Sequence, residues 1–346
     1  MKRQFFMLGF ILFILSLHPL YSVEIKFLKQ WIHNADIVGE ISHCLLDKDS
    51  NIILVHRPGI SLVSENNFVT FADWGQGPDQ IENVFAICDY RGDLAVFELK
   101  NKIKVFKKEG EIYRGSNKQW LKINPGKYLL RDAFYARNRF FLGGLFPIKK
   151  EKKKIYAALM LAYNDATGQE EKNFAFVYYP QPSDHYIIRK HFAVYGDDLL
   201  FLSQNEMKLY IISLTDLALE KTVELKPPKF YIPMPKTFFI LKNYKDDTDY
   251  WKTIVTWMTS YSAVTRMVVL QNGYLILQIR TCNPKLNKFA LLFYNMNNNF
   301  ALENIIYTND LLLAGEKDLL YFFNGGDPMV DEEANKVIIN VYQILQ

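Results

Sequence analysis

After residue 22 the chain carries five histidines, His33, His43, His56, His185 and His191, the side chains suited to ligating a metal or moving a proton near neutral pH. None is spaced from a second histidine or a carboxylate as in His-Glu-x-x-His, so no metal pair is written along one helix. His185 and His191 are an even number of positions apart and share a strand face only along an unbroken strand. A ring of small sheets could still gather one donor from each sheet around its axis. Glu82, Asn83, Asp132, Asp184 and Thr265 stand near the expected starts of inner strands, and such a set would hold an ion that activates water or polarises a carbonyl. Sequence spacing does not constrain such a site, so the metal ligands stay unassigned. No Gly-x-Ser-x-Gly elbow, P-loop or Cys-x-x-Cys is present. No catalytic residue and no cofactor are expected.

Cys44, Cys88 and Cys282 cannot all pair within one chain and form no disulfide framework. Cys44 and Cys88 lie inside apolar strand patterns and read as small buried residues. The other reading, a bridge between neighbouring strands, needs Cα atoms within about 7 Å. The run Lys149-Lys150-Glu151-Lys152-Lys153-Lys154 reads as a solvated hairpin tip rather than an anion-docking patch.

The elements that must position these groups follow from composition and rhythm. Of 346 residues, 49% are hydrophobic and 15% aromatic with only 17 glycines, a balance that excludes wholesale disorder and favours strands. Met1-Lys2-Arg3, an apolar core from Phe5 to Leu17 and the exit His18-Pro19-Leu20-Tyr21-Ser22 are expected to form a signal peptide over 1–22. The mature chain, lacking Lys2 and Arg3, carries 4 − 2 = +2 and is expected to be periplasmic or secreted, with no membrane span. So small a charge disfavours nucleic acid as a partner.

A strand–turn–strand–turn–strand unit recurs six times. Its clearest copy spans Asn83 to Phe106, and the turn after each first strand is marked by Asn51, Asp93, Asn138, Asp198, Gly273 and Asp318. The marker spacings are 42, 45, 60, 75 and 45, and three of them match a four-stranded propeller blade. The two long ones imply insertions, one the basic hairpin and the other at about 227–261. In the second, Tyr250, Ile254, Trp257 and Tyr261 recur near helical spacing behind Asp246-Asp247-Thr248-Asp249, while the β-branched run Thr253-Ile254-Val255-Thr256 suits a strand. Its aromatics Phe230, Tyr231, Phe238, Phe239, Trp251 and Trp257 are expected to bury it against a propeller face rather than form a binding lip. The sixth copy lacks an outermost strand, and Val23 to Gln30 is an unassigned strand-like piece before the first copy. Residues 23–346 are therefore expected to form one all-β domain, a six-bladed β-propeller closed by the N-terminal strand in the last blade.

Gly75-Gln76-Gly77-Pro78-Asp79-Gln80-Ile81, the Gly92-Asp93-Leu94 turn and the strand Asn101-Lys102-Ile103-Lys104-Val105-Phe106 together resemble the NHL repeat of exported bacterial six-bladed propellers. Gly75, Gly77, Pro78 and Gln80 match the Gly-x-Gly-Pro-Gly-Glu/Gln-Phe turn, whereas Asp79 replaces its third glycine and Ile81 its aromatic. The resemblance covers about a tenth of the chain and implies a mostly non-catalytic platform. The expected function is an exported binding or interaction module for a protein, peptide or glycan. The alternative is a metal-dependent lactonase- or lyase-like enzyme with its site in the central channel. Three or more carboxylates and amides converging on the channel would favour the enzyme; apolar or unpaired basic groups would favour binding.

Overall fold

The computed structural model describes residues 23–345 apart from 35–36, 39–40, 57–58, 99–101, 118–128, 151–152, 180–189, 204–205, 235–246, 284, 325–332 and 335. Six sheets, antiparallel except for a two-residue parallel edge strand, Gln80–Ile81, in the first, each begin with an innermost strand: His43–Leu46, Val84–Tyr90, Leu129–Ala136, Lys190–Tyr195, Val264–Val269 and Leu311–Glu316. Each innermost strand touches the next, and the last returns to the first, so the ring is closed as a six-bladed propeller. Asn51, Asn138, Gly273 and Asp318 fall between an innermost strand and the second strand of the same blade, and Asp93 and Asp198 are the first residues of their second strands.

The second strands explain the rhythm. In Ile52–His56 of blade 1, Ile52 and Leu54 pack toward blade 6, whereas Ile53 and Val55 pack toward blade 2. In Arg139–Lys150 of blade 3, Phe140 and Leu142 face blade 2 while Phe141 faces blade 4. Leu275 and Leu277 of blade 5 face blade 4, and Ile276 between them faces blade 6. A strand buried on both faces must be apolar at every position, and these runs are. Each full burial of a large aliphatic or aromatic side chain contributes roughly 1.5–3 kcal/mol, so the blade interfaces hold the ring together.

The closure is as expected and slightly longer. Glu24–His33 pairs antiparallel with Val337–Leu345 as the outermost strand of blade 6. Trp31 is buried there against Tyr321, with ring centroids 5.6 Å apart, and Gln30 Nε2 donates to Asn340 Oδ1 at 2.6 Å. The basic insertion lengthens blade 3 rather than adding a unit: Arg139–Lys150 and Lys153–Asn164 pair along their whole length, out to Lys150 opposite Lys153. The other insertion contains a helix, Asp247–Met258. Phe230 packs on Tyr307 of blade 5, and Phe230 and Tyr231 pack against the core between blades 4 and 5, so these aromatics dock the insertion; Trp257 of the helix is buried beside Tyr261. Phe238 and Phe239 lie outside the described residues.

Candidate functional site

The Gly75–Gln80 turn has a structural job. It carries the chain from the outermost strand of blade 1 to the innermost strand of blade 2, and Gln80 Oε1 accepts a hydrogen bond from the Gly77 amide at 2.8 Å. Lys104, buried in blade 2, donates to the Gly77 carbonyl at 2.9 Å and also to the Gln80 carbonyl, and lies 3.9 Å from buried Glu98. Glu98 in turn accepts from the Glu82 amide at 2.6 Å. Asp79, standing where the motif has glycine, accepts from the Gly115 amide at 2.6 Å. A Cβ at Gly115 would sit 2.0 Å from the Pro78 carbonyl oxygen, so only glycine lets the two backbones meet.

Two polar clusters also join blades at the turn ends. Asp47 follows the innermost strand of blade 1, and its carboxylate caps the amides of Asp49 and Asn51 and takes Lys108 of blade 2 at 2.7 Å. The side chains of Asp47 and Lys108 are 1% and 4% exposed. Between blades 2 and 3, Arg91 donates to Asp165 at 2.7 Å and to the Tyr135 hydroxyl at 2.8 Å. Burial, with Asp165 beside it, pushes the Tyr90 hydroxyl up to about 12. These groups satisfy one another across the blade boundary and leave little chemistry for a ligand.

His56 presents the geometry of a base beside a nucleophile: its Nε2 is 2.6 Å from Ser61 Oγ, which lies 2.8 Å from Thr70 Oγ1. Ser61 has no exposed surface, so no substrate atom can reach it. The arrangement is a hydroxyl chain between the second, third and outermost strands of blade 1. Burial holds the His56 imidazole down at about 4, so it is neutral near pH 7.

The axis is different. A cavity of about 440 Å³ opens among the innermost strands and is lined by side chains from all six. His43 and Cys44 enter from blade 1, Cys88 and Asp89 from blade 2, Asp132 and Phe134 from blade 3, His191 and Phe192 from blade 4, Arg266 and Met267 from blade 5, and Leu313 from blade 6. His43 Nδ1 lies 3.2 Å from Ser42 Oγ, and its Nε2 is 4.0 Å from Asp132 Oδ1. His191 Nε2 donates to the Val264 carbonyl at 3.0 Å, which ties blade 4 to blade 5. Burial raises the Asp89 carboxyl above the usual carboxylate range, and the buried Cys88 thiol is raised well above its own. The cysteines are free, and Cys44 Sγ donates to the Leu313 carbonyl at 2.9 Å.

Backbone irregularity explains how charges reach this axis. Four innermost strands shift register at matching places, just before Ala86, Asp132, Arg266 and Ala314. A bulge breaks the in–out alternation and re-aims the side chains beyond it. The position after the bulge is alanine in blades 2 and 6 and a charged residue in blades 3 and 5.

Of the sequence-derived candidates, Asp132, His43 and His191 line the cavity together. Thr265 is buried within blade 5, its hydroxyl 3.0 Å from Gln278 Oε1. Glu82 is directed instead to Gln76, which donates to it at 2.6 Å. Asn83 occupies a left-handed turn position, φ 45°. His33 is bonded to the Ser64 carbonyl at 2.9 Å in the clasp. Asp184 and His185 lie outside the described residues. Among the described residues, no group of three or more His, Cys, Asp or Glu side chains is placed to hold one metal ion. The residue that sequence reasoning missed is Arg266. The signal was a lone basic residue within the apolar run Val264-Thr265-Arg266-Met267-Val268-Val269 of an innermost strand.

No family model matches the chain, and no curated protein matches it in sequence. In structure it is similar to a member of the DUF4221 family from Bacteroides vulgatus, with a TM-score of 0.58 at 12% identity, covering 94% of this chain and 99% of that one. It is also similar to a Bacteroides fragilis protein assigned provisionally to the exported proteins, with a TM-score of 0.53 at 9% identity, covering 96% and 98%. Likeness at this identity establishes the shared propeller fold and nothing finer. No described helix is long and apolar enough to cross a membrane.

Proposed function

We propose that the chain is an exported propeller that works as a non-catalytic binding module, taking part of a protein, peptide or glycan into its axial cavity. The observation that carries this reading is the lining of that cavity: apolar side chains, two histidines and an arginine, with carboxylates that do not gather into one set of metal ligands. A rigid ring that positions single side chains from separate blades suits recognition. The likeness to a provisionally exported propeller and the basic–apolar start of the sequence support export. The Gly75–Gln80 turn, built as a strand crossover, supports kinship with the NHL-like propellers. The lactonase- or lyase-like alternative lacks a described ligand set.

The test is a screen of short peptides and oligosaccharides against the full mature chain, with binding mapped by hydrogen exchange and metal content measured without chelators. Protection concentrated on the innermost strands, with the ligand recovered unchanged, is the expected result. A stoichiometric divalent ion together with a cleaved ligand would overturn it in favour of the enzyme.

A further inference from the structure

We infer that the axial cavity takes a small monocarboxylate, its carboxylate held by Arg266; this rests on the cavity being the binding site. Arg266 is 8% exposed and lines the cavity from blade 5. Its Nη1 donates to the carbonyl of Thr265 at 2.9 Å, and its Nη2 lies at the long distance of 3.4 Å from the Ile41 carbonyl. Its Nε is buried and has no partner. No described acidic side chain forms an ion pair with it. A guanidinium stays charged in a protein and carries five N–H donors, so three remain to be satisfied here; the one on Nε has no accessible surface, which leaves the second hydrogens of Nη1 and Nη2 for a ligand. Taking such a charge out of water costs several kcal/mol unless an anion compensates.

Three other basic side chains with little exposure each have a carboxylate near them. Buried Lys108 has Asp47 at 2.7 Å, buried Lys104 has Glu98 at 3.9 Å, and half-buried Arg139 has Glu171 at 2.6 Å. Of these four, Arg266 has carbonyl oxygens in place of a carboxylate, and it lines the axial cavity. A planar fork of donors is complementary to a carboxylate, which it binds through two parallel hydrogen bonds.

The surroundings narrow the anion. Asp89 and Asp132 line the same cavity and repel any negative charge on the ligand in proportion to its size, so a dianion is repelled twice as strongly as a monoanion in a poorly screened site. That disfavours a phosphate dianion. Phe134, Phe192, Met267 and Leu313 offer an apolar wall to the ligand's body. A volume of about 440 Å³ suits a small molecule or the carboxy-terminal residues of a peptide.

The probes are phenylacetate, its neutral analogue phenylacetamide and inorganic phosphate, titrated into the full mature chain near pH 7 by NMR with hydrogen-exchange mapping. Phenylacetate should bind at the innermost strands roughly tenfold or more tighter than the amide, the worth of one charge-assisted hydrogen-bond pair, and tighter than phosphate. Arg266→Met should erase the difference between acid and amide without lowering the melting temperature of the free protein, because a buried cation without a counter-ion is replaced by an apolar chain. A sharp fall in melting temperature would make Arg266 a structural residue and overturn the inference. As a second variant, Asp132→Asn should gain affinity for phosphate; no gain would count against the charge argument. Equal binding of acid and amide in the cavity defeats the carboxylate inference and leaves the cavity as a binding site. Failure of every probe to protect the innermost strands, together with failure of the peptide and oligosaccharide screen there, defeats both.

Discussion

Replacing His56 with glutamine isolates the cost of burying an imidazole that cannot charge. His56 is 2% exposed, and burial lowers it from its ordinary value of 6.5 to about 4 in the folded chain. The unfolded chain therefore binds the proton first as the pH falls. Stability is unaffected above pH 6.5 and is lost progressively between 6.5 and 4, after which the loss levels off. The full loss is on the order of 3 kcal/mol, and most of it is present by pH 4.5. Glutamine can keep a bond to Ser61 Oγ but does not titrate. Urea unfolding at pH 7.5 and 4.5 measures the loss for both proteins; acid-sensitive carboxylates are common to both and cancel in the difference. The wild-type chain should lose roughly 2–3 kcal/mol more than His56→Gln over this interval. Equal losses would refute the reasoning and mean that the Ser61–Thr70 side of blade 1 opens to water at little cost.

Lys108→Met should cost about 3–5 kcal/mol in urea unfolding, because it leaves the Asp47 carboxylate buried without its cation; adding Asp47→Asn should restore part of that loss, and a harmless single variant would show that water reaches the pair. Trp31→Ala should cost about 3–5 kcal/mol and raise amide exchange along Val337–Leu345; a loss below about 1 kcal/mol would mean that the clasp is not anchored by this ring.

Much of the ring is written in the chain, and the reason is burial. Residues such as Phe140, Phe141 and Leu142 are apolar in succession because alternate side chains serve two different blade interfaces. Polar markers such as Asp93 and Asn138 punctuate them at the sharp reversals. Asp132 was legible as a site residue because a carboxylate stands at an inner-strand start. Arg266 was not, since the apolar rhythm of the fifth repeat starts at Met267, one residue after Arg266, whose guanidinium the bulge aims at the axis. Register shifts leave no mark in an apolar–polar pattern. The helix at Asp247–Met258 was ambiguous for a different reason. Its threonines favour strands by their branching, yet in the folded chain the Thr253 and Thr256 hydroxyls donate to the carbonyls four residues back, at 2.9 and 2.8 Å. Those bonds leave the hydroxyls satisfied within the helix, and burial of Trp257 beside Tyr261 outweighs propensity.

The pairing of Glu24–His33 with Val337–Leu345 joins positions such as Gln30 and Asn340, 310 apart in the chain. Contacts between such distant positions form slowly, because the entropy of bringing them together is lost before any packing is gained. Until then Val337–Leu345 offers a bare edge of amides and carbonyls to whatever strand arrives first. At high concentration that strand can come from a second molecule, and refolding this protein from denaturant should yield a dimer that exchanges first strands, in competition with the closed monomer.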